Sequence, residues 1–219
     1  MKKQCLLATL CLGLVLMASS AMAYSLSTNF DGITTNQSDL TTTSGLNQWN
    51  DLVRWQIQPT GGNSDSWAQQ TPRDDGGHET SLLFYGFDAT GLGVGTPFSL
   101  EFDFINDGPD TTIGKVYLGG LDTGESISRF APWGNLDTTK FFEADLATTS
   151  VWTHASYTGT VSDDFDVLYV AFRLGGTSGL RGIDNVSLDV APVPEPSTFL
   201  LLGAGIAGLA LWRRKKIQA

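Results

Sequence analysis

Phe98-Ser99-Leu100-Glu101-Phe102-Asp103-Phe104 sets an apolar side chain at every second position with a polar one between. Side chains of a strand alternate between its two faces, so this spacing buries one face and leaves Glu101 and Asp103 on the other. The same reading extends to 81–87, 113–118, 151–157, 167–174 and 183–190, which are separated by clusters of Gly, Asp, Asn and Pro. No stretch before Phe199 carries an apolar stripe of helical period. Many short strands with polar turns predict an all-β fold: two antiparallel sheets packed as a jelly-roll sandwich.

Both ends of the chain depart from this pattern. Lys2 and Lys3 precede an apolar run from Cys5 to Met17, and Ala21-Met22-Ala23 forms a small-x-small exit before Tyr24. Residues 1–23 therefore read as a cleaved signal helix, with Ala21 and Ala23 at the cleavage site. Cys5 and Cys11 both fall inside it, so the mature chain offers no disulfide, thiol nucleophile or Cys-based zinc site. At the other end, Phe199 to Trp212 is a run of 14 apolar or small residues. As a helix it would measure about 21 Å, against roughly 30 Å of hydrocarbon. Pro194 and Pro196 break the chain before it, and Arg213, Arg214, Lys215 and Lys216 follow at once, the arrangement that stops transfer across a membrane. A single short transmembrane helix is expected over 197–212.

Pro194-Glu195-Pro196, a Gly/Ala-rich apolar helix and a basic cluster near the terminus together resemble the PEP-CTERM sorting signal, here over 192–219. That resemblance implies a Gram-negative exporter and a transient stay in the inner membrane. It also implies an exosortase partner acting at Pro194, Glu195 and Pro196, and delivery to the cell surface or extracellular matrix. A permanent single-pass anchor is the other reading of the same residues.

Between the ends, 24–191 reads as one domain. Seven basic residues (Arg54, Arg73, Lys115, Arg129, Lys140, Arg173, Arg181) face twenty-two acidic ones over 24–193, a net charge of about −15. Phosphate binding needs the opposite sign, which argues against nucleic acid as a partner. Thr28-Asn29-Phe30-Asp31-Gly32, Ser81-Leu82-Leu83-Phe84 and Gly182-Ile183-Asp184-Asn185-Val186-Ser187-Leu188 look like the opening, central and closing strands of carbohydrate-binding-module-like jelly rolls. In such modules a calcium ion often pins first strand to last; carried over residue by residue, its ligands here would be Asp31 and Asp184. The alternative is that both are turn or strand-edge carboxylates.

Glu101-Phe102-Asp103-Phe104-Ile105-Asn106 is similar to the Glu-x-Asp-x-x-Glu strand of laminarinase-type glycosidases, but Asn106 stands where the acid should be and cannot give a proton. The two histidines, His78 and His154, have no Gly-x-Ser-x-Gly elbow to serve. Trp67 and Trp133 lie in loop-like contexts and are the candidates for a glycan-stacking platform, whereas Trp152 fits core packing. The expected function is a non-enzymatic surface or matrix protein associated with exopolysaccharide or biofilm. A glycan-binding module is the alternative, and a jelly-roll glycoside hydrolase comes third.

Overall fold

The computed structural model describes residues 23–35, 39–51, 55–63, 66–71, 81–108, 114–127, 136, 138–174, 179–191 and 203–205. The chain divides into two compact units, Met22–Ala191 and Met1–Ala21 with Pro192–Ala219. In the second of these only Gly203, Ala204 and Gly205 are described, and they are helical. The rest of the expected signal helix and transmembrane helix lies outside the described residues, among which no helix is long and apolar enough to cross a membrane.

Among the described residues, Met22–Ala191 forms thirteen strands: β1 (Tyr24–Thr28), β2 (Leu40–Thr41), β3 (Trp49–Asp51), β4 (Trp55–Gln58), β5 (Trp67–Gln70), β6 (Ser81–Asp88), β7 (Pro97–Asn106), β8 (Gly114–Leu121), β9 (Ser126–Ile127), β10 (Lys140–Leu146), β11 (Thr149–Thr160), β12 (Val167–Leu174) and β13 (Arg181–Val190). One sheet runs β11-β7-β13-β5-β4 with β1 also on β13, and the other runs β10-β8-β12-β6-β3. The pairings between these strands are antiparallel, and Leu46 adds an isolated parallel bridge to Gly86 of β6. If β1, β6, β7, β8, β10, β11, β12 and β13 are numbered one to eight, the sheets contain the orders 1-8-3-6 and 2-7-4-5. That is jelly-roll winding, with all but one of the successive connections crossing between sheets.

The alternating positions do what their period requires. Phe98, Leu100, Phe102 and Phe104 of β7 and Ile183, Val186, Leu188 and Val190 of β13 turn inward. They meet Leu83, Val116, Leu118, Leu168, Val170 and Phe172 of the opposite sheet. Phe102 and Phe172 touch edge to face across the interior, centroids 4.9 Å apart. This unit thus has its own continuous hydrophobic core, sufficient for it to fold alone.

The second sheet is buried on its other face too. Leu82, Phe84, Tyr117, Leu121, Val167, Tyr169 and Ala171 form a separate cluster beneath Leu40, Ile127 and Leu136, with Leu40 and Ile127 supplied by the small β2–β9 pair. Its strands are correspondingly apolar on both faces, so β8 and β12 are nearly continuous buried runs. The six-stranded sheet instead turns a polar face outward, and the candidate site lies there.

The opening strand differs from its expected position. It is Tyr24–Thr28, and Thr28 to Gly32 is the turn that follows, with Phe30 at φ 62°. The cause is local: Thr28 Oγ1 accepts the Phe30 N–H at 3.0 Å and Asn29 Oδ1 accepts the Asp31 N–H at 3.3 Å, bonds that compete with a strand ladder.

Candidate functional site

Three strands bring His154, Asp103 and Asp184 into one row on the outward face. His154 of β11 stands opposite Asp103 of β7, which stands opposite Asp184 of β13. Asp103 was expected in solvent. It is on the predicted face but only 7% exposed, and Asp184 is at 0%. The segment 59–63 explains this, because Asn63 reaches both carboxylates. Its side-chain amide donates to Asp103 Oδ2 at 2.8 Å, and its backbone N–H donates to Asp184 Oδ2 at 2.8 Å.

A bulge completes the cluster. The β13–β7 register shifts between Asp184 and Ser187, and Asn185 takes φ 49°, a left-handed conformation that asparagine tolerates better than most residues. So placed, its amide donates to Asp103 Oδ2 at 2.8 Å and its N–H to Asp184 Oδ1 at 2.7 Å. His154 Nδ1 lies 2.9 Å from Asp103 Oδ1. A carboxylate only accepts, so this contact puts the imidazole proton on Nδ1. Burial pushes the Asp103 carboxyl up, but the hydrogen bonds from Asn185, Asn63 and His154 outweigh it and hold the group below the usual carboxylate range. Asp103 is a fixed, ionised acceptor at neutral pH.

Beside this cluster sits an aromatic pair. Trp67 opens β5, covers Gly182 and donates its indole N–H to the Thr60 carbonyl at 3.1 Å. Trp152 meets it edge-on, centroids 5.4 Å apart at 89°. Two expectations are corrected here. Trp67 belongs to a strand rather than a loop and is 4% exposed, so it presents no face for stacking. Trp152 is not a core residue: it shares the outward face with His154 and is only partly buried. The alternation had the right period, but which face is core depends on the β7–β11 register, which a single strand does not encode. Trp133 lies outside the described residues, as do His78, Ala21, Pro194, Glu195, Pro196, Arg213, Arg214, Lys215 and Lys216. Ala23 is described, exposed just before β1.

The remaining outward residues are polar. Glu101 and Ser156 are exposed, with Ser156 Oγ donating to Glu101 Oε1 at 3.5 Å, and His154 keeps 60% of its side chain in solvent. Asn106 is on the opposite face of β7, 3% exposed, its amide 3.4 Å from the Leu146 carbonyl. The glycosidase-like segment therefore places no acid beside Glu101 and Asp103, and Asp103, held ionised, is unsuited to donate a proton.

The two residues expected to hold calcium lie in different surroundings. Asp184 is fully buried, and each of its oxygens accepts a backbone N–H. Asp31 is exposed and accepts the Asn29 amide at 2.7 Å. Among the described residues no group of three or more His, Cys, Asp or Glu is placed to hold a metal.

The C-terminal tail carries a PEP-CTERM protein-sorting motif, matched over residues 192–215. No curated protein is significantly similar to the chain in sequence. The fold resembles those of solved carbohydrate-binding modules and related proteins. A candidate sugar-binding protein of Bacteroides thetaiotaomicron aligns with TM-score 0.50 at 11% identity, over 74% of this chain and 97% of that one. The C-terminal family 22 carbohydrate-binding module of Clostridium thermocellum Xyn10B aligns with TM-score 0.47 at 11% identity, over 80% and 99%. A family 4 carbohydrate-binding module gives TM-score 0.45 at 16% identity, over 75% and 97%. At these identities the likeness is one of fold.

Proposed function

We propose that this is a non-enzymatic exported protein that binds glycan through the outward face of its six-stranded sheet. An exosortase acts on the PEP-CTERM tail during a transient stay in the inner membrane of a Gram-negative cell, and the domain passes to the surface or matrix, associated there with exopolysaccharide. The observation that carries the glycan reading is Trp152, a partly buried indole in edge contact with Trp67 beside a row of oriented polar groups. A pyranose ring offers an apolar face to such an indole and hydroxyls to its surroundings. His154, Glu101 and Ser156 are the groups within the same outward patch to meet those hydroxyls. The PEP-CTERM motif supports the sorting half of the reading.

Titration of residues 24–191 against a panel of neutral and charged exopolysaccharides tests it. Trp152→Ala is expected to weaken binding about tenfold, about 1.4 kcal/mol, while leaving the melting temperature within a few degrees. A panel in which no polymer binds, or an unchanged affinity in Trp152→Ala, would remove the glycan reading. Among the described residues Asp31 and Asp184 have no third carboxylate or histidine gathered with them, which favours a domain without a structural calcium there. The melting temperature should be the same in excess calcium and in chelator, and a rise with calcium would restore the ion.

A further inference from the structure

We infer that the polymer this face takes carries ammonium groups, as an amino-sugar glycan with free amines does. The inference rests on the glycan reading and names the ligand class of that same site. Four strands, β1, β13, β7 and β11, continue the outward face beyond His154 in register. One row across them is Ser27, Ser187, Glu101 and Ser156, and the next is Ser25, Asp189, Ser99 and Thr158. Between the rows Leu26, Leu188, Leu100 and Tyr157 stand opposite one another and pack into the core, so the eight side chains of the two rows turn outward. Ser187 and Ser99 are partly exposed, and the other six are exposed.

The charge of this surface is one-sided. Glu101 and Asp189 are carboxylates, and the rest of the two rows is serine and threonine hydroxyl. Among the strands of this sheet the one Lys or Arg is Arg181, and it is only 2% exposed. Lys115 and Lys140 stand on the other sheet, each paired with Glu143.

That balance selects the ligand. A hydroxyl both donates and accepts, so the serines and Thr158 suit the hydroxyls of any sugar. A carboxylate only accepts, and an ammonium group brings it three donors together with the opposite charge. A uronate or sulfate polymer would instead set like charge against Glu101 and Asp189, with a domain net charge of about −15 over 24–193 behind them. Glu101 and Asp189 are diagonal neighbours across β7 and β13, a relation that sets Cβ atoms about 7–8 Å apart. From Trp152 to Thr158 is about 20 Å of strand. A sugar chain stacked on Trp152 and laid along β11 therefore passes Glu101 and reaches the row of Asp189.

Titration calorimetry of residues 24–191 with two glucosamine oligomers of equal length, one with free amines and one N-acetylated, tests the inference at a pH that keeps amines protonated and carboxylates ionised. The free-amine chain should bind about tenfold more tightly. Glu101→Gln with Asp189→Asn should erase that preference and leave the affinity for the acetylated chain unchanged. Asp122→Asn with Glu125→Gln makes the same change in charge on the exposed turn between β8 and β9 and should keep the preference. Oligolysine reports unspecific attraction, and an equal loss of its affinity in the first double variant would mean that the face takes any polycation. That result would overturn the inference, as would a preference that survives the first double variant, one lost in the second, or an acidic polymer that binds more tightly with or without calcium. If the acetylated chain or another polymer binds best and does so through Trp152, the inference falls and the glycan reading stands; if no polymer binds, both fall.

Discussion

Asp184→Ala is expected to destabilise the sandwich by about 3 kcal/mol and to release the segment 59–63 from the sheet face. The side chain is fully buried, and each oxygen accepts a backbone N–H, one from Asn63 and one from Asn185. Truncation takes the acceptor from both donors, and a donor left unmet away from water costs on the order of 1–3 kcal/mol. The loss is not confined to Asp184. Asn63 is joined to Asp103 as well, so freeing its backbone loosens a bond that keeps Asp103 ionised and oriented. Urea denaturation gives the stability change, and hydrogen exchange at the Asn63 amide reports the release. A loss below about 1 kcal/mol, or an Asn63 amide as protected as in the wild type, would mean that the carboxylate does not fasten this segment. Asp184→Asn should fall between the two, because one carboxamide oxygen can still accept while its NH₂ faces a donor.

The sequence revealed the long strands of the sandwich and missed the short and irregular ones. β6, β7, β8, β11, β12 and β13 all lie on segments whose apolar spacing predicted a strand. β10 reads Lys-Phe-Phe-Glu-Ala-Asp-Leu, with two adjacent phenylalanines at a register shift, so no clean period survives. The short β2 and β9 exist because Leu40 and Ile127 cap the second sheet, a tertiary cause with no local signature. The candidate site was legible only in fragments. Glu101 and Asp103 were placed on the outward face correctly, but the burial of Asp103 comes from Asn63, 40 residues away in sequence. The choice between Trp67 and Trp152 was reversed because local context describes the neighbours of a residue in the chain, while exposure is decided by what covers it in space. The sorting tail needed no fold at all, since its signal is the order of a short motif, an apolar run and basic residues.

Gly182→Ala is expected to be the most damaging single methyl group on the outward face, with a loss of about 3 kcal/mol. A Cβ at this position would lie 2.2 Å from Trp67 Cε3 and Cζ3 and 2.6 Å from the Ala68 carbonyl oxygen. Backbone conformation is not the issue, because Gly182 does not need a positive φ; the obstacle is space. Trp67 cannot simply rotate aside, since its indole N–H is bonded to Thr60 and its edge meets Trp152. The clash with Ala68 acts on the β13–β5 ladder itself, whose register consists of Gly182 with Gln69 and Ile183 with Ala68. β4 is paired to β5, so opening this short ladder loosens both strands at that end of the sheet. Thermal melting should show the lost stability, and near-ultraviolet circular dichroism should lose the signal of the Trp67–Trp152 pair. If glycan binding depends on an indole held rigid, the variant should also bind more weakly at temperatures where it is still folded. A Gly182→Ala protein with native melting and an unchanged aromatic spectrum would show that Trp67 is free to move, and Trp152 would then lack the fixed orientation on which the binding reading rests.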